Sequence, residues 1–406
     1  MEYHVGSEVG ALRQVIVHRP GDEMTRLTPT NKDDLLFDDV LWLQRAQTEH
    51  DEFARTLAAH GAEVLYLTDL LTETLAVDEA RAYVLDAVLD PRSFGAVTAD
   101  ALRSWASGLS DAALARVLVA GVTKAELLAA IEEPPSLFLR TLQPSSFLLP
   151  PLPNHLFTRD TSCWIYDGVA VNSMRKPARM SETINVEAIY RWHPRFADAG
   201  FPEWSDGPEE GAATLEGGDV LVIGNGAVLI GLSERTSAVG VERVAQRLFA
   251  GGVASSVIAV AMPHGRAQMH LDTVMTMLDP VSFVRYSGFG PRETMILRPG
   301  RGSTLRLEGH RASEMDRVLA REMGLDAVRV LTPPQDALTA EREQWNDACN
   351  VLAVAPGVVV GYERNVATSE FLRGHGVEVL EVPGGELGRG RGGPRCMSCP
   401  VLRDPI

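Results

Sequence analysis

No apolar run in the sequence reaches the length of about 18 residues that a membrane-crossing helix needs, and the opening stretch Met1-Glu2-Tyr3-His4-Val5 has no basic segment followed by an apolar one. Neither membrane insertion nor secretion is therefore expected. Cysteine is scarce: Cys163, Cys349, Cys396 and Cys399 are the only four in 406 residues. That is too few to staple a chain long enough to bury its own core. A reducing cytoplasm fits, and any unpaired thiol becomes a candidate for chemistry. Positive charge is also short, with 38 Lys and Arg against 54 Asp and Glu and a formal net charge of −16. A nucleic acid or an anionic membrane would be repelled by most of this surface. The expected partner is a small molecule, with no nucleic acid and no membrane; assembly into a homo-oligomer is left open.

What the chain does have is 45% hydrophobic residues and a hairpin pattern that recurs with different side chains. One copy runs Cys163 to Tyr166, the turn Asp167-Gly168, then Val169 to Asn172. Another runs Asp219 to Ile223, Gly224-Asn225-Gly226, then Ala227 to Leu232, and another Cys349 to Val354, Pro356-Gly357, then Val358 to Tyr362. Short β-branched runs on either side of such turns are strand pairs. A helical segment and a further β-branched run follow, as in Ser237 to Leu248 and Ala254 to Ala261, so the unit reads ββαβ. A further copy fits Met269 to Leu278, Asp279-Pro280, Val281 to Tyr286, a helix near Ala312 to Met323 and a strand Ala327 to Leu331.

The N-terminus supplies all but one strand of a fifth unit: strand Leu12 to His18, helix Val40 to His60 and strand Glu63 to Leu67. The missing strand is available in Cys396 to Leu402, whose pairing with Leu12 to His18 would close a ring and protect its edges. The expected fold is α/β, a five-bladed pseudo-symmetric ββαβ propeller. The Ala- and Leu-rich stretch from Thr72 to Leu142 breaks the pattern and reads as a helical insertion beside the first unit. The domains are then 1–71 with 143–406 for the catalytic propeller and 72–142 for the inserted helices. An open doubly wound sheet is the competing architecture, but no Gly-rich turn follows the first strand as its cofactor fingerprint requires.

The polar residues that could do chemistry sit where these units open, and a closed ring would bring those openings to one end of its axis. Asp160 precedes one hairpin, Glu216 and Asp219 open another, His270 and Asp272 another, and Cys396 opens the closing strand. His270-Leu271-Asp272 reads as a strand with both polar groups on one face; taken alone, such a pattern is usually an ordinary surface strand. The loop Gly384 to Gly393 lacks the Lys-Ser/Thr pair and helix start of a phosphate cradle and reads instead as a mobile loop delivering Cys396. Cys396-Met397-Ser398-Cys399 is a C-x-x-C in form only: residues three apart in a strand face opposite sides, Pro400 follows, and no second pair completes a metal site. Cys163 and Cys349 read as small buried hydrophobes.

A thiol protease needs one carboxylate or amide to orient its histidine, so the surplus acids here call for a cation. A guanidinium is a planar fork of N–H donors that two carboxylates can hold at once, and Asp160 and Asp272 are the candidate clamp. Its carbon is a poor electrophile, which calls for a thiolate held in attack geometry. Either a charged His270 or the substrate cation could favour that anion. His270, paired with Glu216, would then protonate departing ammonia and later activate water.

With Asn154 to Thr161, Glu216-Gly217-Gly218-Asp219, Met269 to Val274, Glu363-Arg364-Asn365 and Leu387 to Pro400 in view, the chain resembles the bacterial arginine deiminases of the guanidino-group-modifying superfamily. The resemblance spans nearly the whole chain and is weakest over the helical insertion. It implies a fivefold propeller with that insertion, no cofactor and no metal. It also implies hydrolysis of free L-arginine to L-citrulline and ammonia through a covalent S-alkylthiouronium on cysteine. The implied catalytic set is Cys396, His270, Glu216, Asp160 and Asp272. Asn154, Phe157, Arg179, Asp219, Arg235 and Arg391 are implied to bind the substrate. Within the superfamily an amidinotransferase would pass the amidino group to an amine, and a methylarginine hydrolase would lack the insertion. A non-catalytic arginine sensor would keep its function without the thiol.

Overall fold

Gly- and Asx-containing turns between apolar runs produce hairpins at four of the expected places in the computed structural model, which describes residues 3–406. Ser162–Ile165 pairs with Gly168–Val171, Val220–Gly224 with Ala227–Leu232, Met275–Asp279 with Ser282–Arg285, and Leu352–Ala355 with Val358–Tyr362. The turn Gly224-Asn225-Gly226 explains its own composition, since all three residues have positive φ (88°, 52° and 70°), a conformation that glycine and asparagine reach most easily.

In three of these units a helix then crosses over and returns a parallel strand beside the hairpin. The helices are Ala238–Ala250, Met315–Met323 and Val366–Gly374. The returning strands are Ser256–Ala261, Arg329–Leu331 and Glu378–Val382. After Gly168–Val171 the helix Pro177–Trp192 forms as well, but the return is reduced to a single bridge between Val169 and Glu203.

The two ends of the chain meet as expected. Leu12–Val17 has the parallel strand Glu63–Tyr66 on one side and the antiparallel strand Cys399–Arg403 on the other. The closing strand begins at Cys399 rather than Cys396, because the residues just before it are folded into turns around the thiol. Arg403 locks this junction from inside, donating from Nη1 to the carbonyls of Gly10 (2.7 Å) and Ala353 (2.8 Å). The result is a mixed α/β fold made of several small sheets, with no closed barrel among the described residues.

Two features differ from the sequence reading. The hairpin Thr294–Pro299 with Leu305–His310 was not foreseen; it docks on Ser256–Ala261 and widens that sheet to five strands. Its outer strand Leu305–His310 is mostly exposed; Leu305 and Leu307 alternate with Arg306 and Glu308, a run too short by itself to mark a strand. The helices between Leu67 and Thr141 are present, but they pack chiefly on Pro177–Trp192 of the neighbouring unit. Leu71, Val84, Leu102 and Leu118 share one apolar core with Trp164, Val169 and Ile189. None of the helices searched among the described residues is long and apolar enough to cross a membrane.

Candidate active site

Each hairpin's first strand is preceded by a tight turn, and the polar residues sit on those turns. Asp160 lies in the helical turn Thr158–Thr161, Glu216 caps the 3-10 turn Gly217–Asp219, and His270 caps the 3-10 turn Leu271–Thr273. The turns nest against one another closely enough to require glycine. A Cβ on Gly217 would stand 2.0 Å from the Arg159 carbonyl, and one on Gly218 would stand 2.7 Å from His270 Nδ1 and 2.8 Å from Asp160 Oδ1. The expectation of a strand through His270-Leu271-Asp272 is corrected here. The chain turns at Leu271, with the Thr273 N–H donating to the His270 carbonyl at 3.2 Å, and the two side chains serve different neighbours.

His270 Nε2 is 2.7 Å from Glu216 Oε2, and its Nδ1 is 3.6 Å from Asp160 Oδ1. Burial alone would lower the imidazole pKa, but Asp160, the hydrogen bond to Glu216 and the nearby Asp219 raise it from 6.5 to about 9. The ring is therefore an imidazolium at neutral pH. Glu216 is fully buried. Burial pushes its pKa up, yet Arg235, whose Nη1 lies 3.3 Å away, and His270 hold it well below the usual carboxylate range. Glu216 also accepts the Arg175 N–H at 3.2 Å.

Cys396 is a buried, unpaired thiol. Its Sγ lies 3.5 Å from Asp272 Oδ2 and 3.1 Å from Asn350 Nδ2, and its N–H donates to Asn350 Oδ1 at 3.0 Å. Burial, followed by the fields of Asp272, Asp160 and Asp347, pushes the thiol pKa well above its ordinary value. The resting sulfur is thus protonated. Behind it Arg395, itself buried, donates to Asp272 Oδ2 (2.8 Å), Glu8 Oε2 (3.1 Å) and the Val220 carbonyl (2.6 Å).

The two expected clamp carboxylates are each gripped on one oxygen by an internal arginine. Arg179 Nη1 lies 2.5 Å from Asp160 Oδ2, and Arg395 takes Oδ2 of Asp272. Of the other oxygens, Asp160 Oδ1 accepts the Gly218 N–H at 3.1 Å, and Asp272 Oδ1 is buried with no hydrogen-bond partner among the described residues. Arg179 is fully engaged, also reaching Glu182 Oε2 (2.9 Å) and the carbonyls of Asn154 (3.0 Å) and Phe157 (3.2 Å). Arg391 is different. It is buried with Nε and Nη1 unpartnered, and its guanidinium stacks 3.6 Å from the centre of the Trp345 ring. Asp219 supports a turn, accepting from Ser233 Oγ (2.6 Å) and the Leu271 N–H (2.9 Å).

One tight pocket is bordered by Cys396, His270, Asp160, Asn154, Phe157, Arg179, Arg235 and Arg391. Glu216, Asp272 and Asp219 do not line it. A wider, open depression of about 1020 Å³ beside Phe249 and Leu305 has no cysteine, histidine or acid on its walls and offers no comparable chemistry. The ligating atoms of Asp160, Glu216 and His270 lie within 4.8 Å of one another and could in principle hold a cation. Two buried guanidinium groups already neutralise those carboxylates, so a metal would have to displace them.

The sequence reading did not assign Leu36, Arg266, Met269 or Gly390 to the cavity wall, nor Asn350, Glu8 and Glu182 to the layer behind it. An asparagine or a lone arginine carries no periodic signal. Asn350 falls within the strand expected from Cys349 to Val354; the strand begins only at Leu352, which leaves Asn350 in the turn before it.

A family model described as ADI, arginine deiminase, matches residues 33–403. Among solved structures, SxtG, an amidinotransferase from Microseira wollei in a saxitoxin biosynthetic pathway, is 14% identical; the match covers 100% of this chain and 98% of that one at a TM-score of 0.60. A dimethylarginine dimethylaminohydrolase, seen as an adduct with S-methyl-L-thiocitrulline, is 15% identical over 96% of this chain and 99% of that one, TM-score 0.52. AgrE, in a ternary complex with ornithine and NAD+, is 14% identical over 97% of this chain but 40% of that one, TM-score 0.55. At such identities the likeness is one of fold.

Proposed function

The chain belongs to the arginine deiminase family, and from that premise we propose that it hydrolyses free L-arginine to L-citrulline and ammonia. The observation that carries the proposal is the shared cavity: a thiol, an imidazolium and an arginine with free N–H groups border one buried space. The groups around it suit a molecule with a guanidinium at one end and a carboxylate at the other. Asp160, which borders the cavity and is oriented through Oδ2 by Arg179, offers Oδ1 to the guanidinium; Asp272, held by Arg395 beside the Cys396 sulfur, completes the clamp from behind the cavity wall as the substrate enters. Arg391, with Arg235 and Asn154, receives the α-carboxylate, and Phe157 covers the aliphatic stem. Arg179 acts by holding Asp160.

Arrival of the substrate cation lowers the cost of the thiolate, and the Cys396 proton leaves to solvent. Sulfur attacks the guanidinium carbon to give a neutral tetrahedral adduct. His270 gives its proton to one amino group, the C–N bond breaks, and ammonia departs, leaving an S-alkylthiouronium cation. Neutral His270 then takes a proton from water, and the hydroxide adds to the same carbon. The new hydroxyl loses its proton to solvent water as the C–S bond breaks, forming the ureido carbonyl of citrulline and releasing the thiolate, with His270 protonated again. Glu216 and Asp219 keep the shuttle charged.

On the same reading the five units are blades of a pseudo-symmetric propeller, residues 72–142 are an insertion into it, and the setting is the cytoplasm, to which four unpaired cysteines are suited. The test is product analysis after incubation with L-arginine, agmatine, methylarginines and a peptidyl arginine. Equal citrulline and ammonia from free arginine alone support the proposal. Amidino transfer to an added amine, or turnover of methylarginine instead, would replace it.

A further inference from the structure

The turn before Leu352–Ala355 is the one unit opening for which no chemical role was found in the sequence. Its residue Asn350 is fully buried, and its side chain lies against the thiol. Resting on the reading of Cys396 as nucleophile, we infer that Asn350 is a further catalytic residue, an amide that holds the cysteine by its backbone and donates a hydrogen bond to its sulfur.

The orientation of the amide follows from its surroundings. The Cys396 N–H can only donate, so the atom 3.0 Å from it must be Oδ1. Nδ2 then necessarily faces Sγ at 3.1 Å and shares itself with the Asp272 carbonyl at 3.2 Å, which again needs a donor. A flipped amide would lose both the Cys396 N–H and the Asp272 carbonyl contacts, and these two fix which atom faces the sulfur. The main chain of Asn350 is fixed too: its N–H donates to the Asp347 carbonyl at 2.9 Å, and its carbonyl accepts from Arg395 N–H at 3.4 Å. Gly393 presses on the same residue, since a Cβ there would stand 2.7 Å from the Asn350 carbonyl oxygen and 2.8 Å from Oδ1. The amide is thus preorganised.

Its chemical use follows from the charges around the sulfur. Burial and the fields of Asp272, Asp160 and Asp347 disfavour the thiolate more than Arg395 favours it, and among the described residues no cation is in hydrogen-bond contact with Sγ. A thiol sulfur accepts hydrogen bonds weakly and a thiolate strongly. An N–H aimed at Sγ therefore stabilises the attacking form and the thiolate that leaves at the end of the cycle. Asp272 Oδ2, 3.5 Å away, is the acceptor that instead favours the protonated thiol.

The test reads the sulfur without needing arginine. Iodoacetamide labelling of Cys396, followed by mass spectrometry across pH, is compared in the full-length wild type, Asn350→Ala and Asn350→Asp, with Cys396→Ala as the blank. A charge-assisted hydrogen bond lost from the thiolate moves the labelling midpoint up by about one to two pH units, and Asn350→Asp moves it further because it adds a negative charge. Citrulline formation should lose at least about tenfold in kcat, with KM changed much less. An unchanged midpoint in a folded Asn350→Ala protein would overturn the inference. Should neither variant fold, 15N-asparagine labelling of the wild type decides: one side-chain amide must shift with the thiol's midpoint and lose that titration in Cys396→Ala, and absence of such a resonance also overturns it. A shifted midpoint in the variants together with no citrulline formation by the wild type would sink the deiminase reading and leave the hydrogen bond to the sulfur standing. Normal turnover with an unshifted midpoint would do the reverse.

Discussion

His270 keeps its proton to about pH 9 because buried carboxylates on two sides outweigh the cost of burying it. Its folded-state pKa is raised above 6.5, so the interaction is complete below that value and is lost as pH rises through about 9. Citrulline production should therefore fall on an alkaline limb near pH 9. Replacing Glu216 by Gln removes one of the anions and its charge-assisted hydrogen bond, and the limb should move down towards 6.5; a pH profile of kcat checks this. Asp347 makes the opposite kind of statement. It is buried with no partner on either oxygen, and burial raises its pKa to about 7 despite the nearby Arg391. For a carboxylate that shift means the fold prefers the acid, so stability falls as pH rises from about 4 to 7. Asparagine keeps the shape and tolerates the φ of 60° found there. Asp347→Asn should melt at a higher temperature than the wild type at pH 8 and at nearly the same temperature at pH 4, as followed by calorimetry.

Among the elements, the nested turns decide how accurately the reacting groups face one another. Gly218→Ala would push a methyl into His270 and Asp160, 2.7 and 2.8 Å away. A displacement approaching 1 Å costs on the order of 100-fold in rate, and steady-state kinetics should show that loss in kcat while the protein still folds. The hairpins themselves were legible, because their turns carry glycine, proline, asparagine or aspartate and their strands alternate or run apolar. The turns just before them were not. His270-Leu271-Asp272 has the spacing of a strand face, and only packing against Glu216 and Arg395 shows that the chain bends there. Arg179 and Arg395 look like surface residues in a sequence; their burial depends on carboxylates more than a hundred positions away in the case of Arg395. Asn350 escaped for a related reason, being polar, uncharged and outside any periodic pattern.

Across the whole molecule, the site exists only when distant stretches of chain are brought together. The strand after Cys396 is held by the first strand of the fold, and Glu8 near the N-terminus holds Arg395 beside the nucleophile. Leu12, almost fully buried at this junction, tests that dependence: Leu12→Ala should cost about 2–5 kcal/mol in urea unfolding, and turnover should fall in step with the folded fraction. The convergence of unit openings was readable from the recurring hairpins, whereas the extra hairpin on Ser256–Ala261 and the packing of the inserted helices were not, since neither follows from the repeat. The claim on which all of this depends is that the thiol of Cys396 carries the amidino group during turnover. Acid quenching of the enzyme during reaction with arginine labelled at the guanidinium carbon, followed by mass spectrometry of the peptide containing Cys396, measures it directly. The expected result is label on Cys396 that appears within one turnover and is absent in Cys396→Ser; citrulline formed at full rate with that peptide never labelled would contradict it.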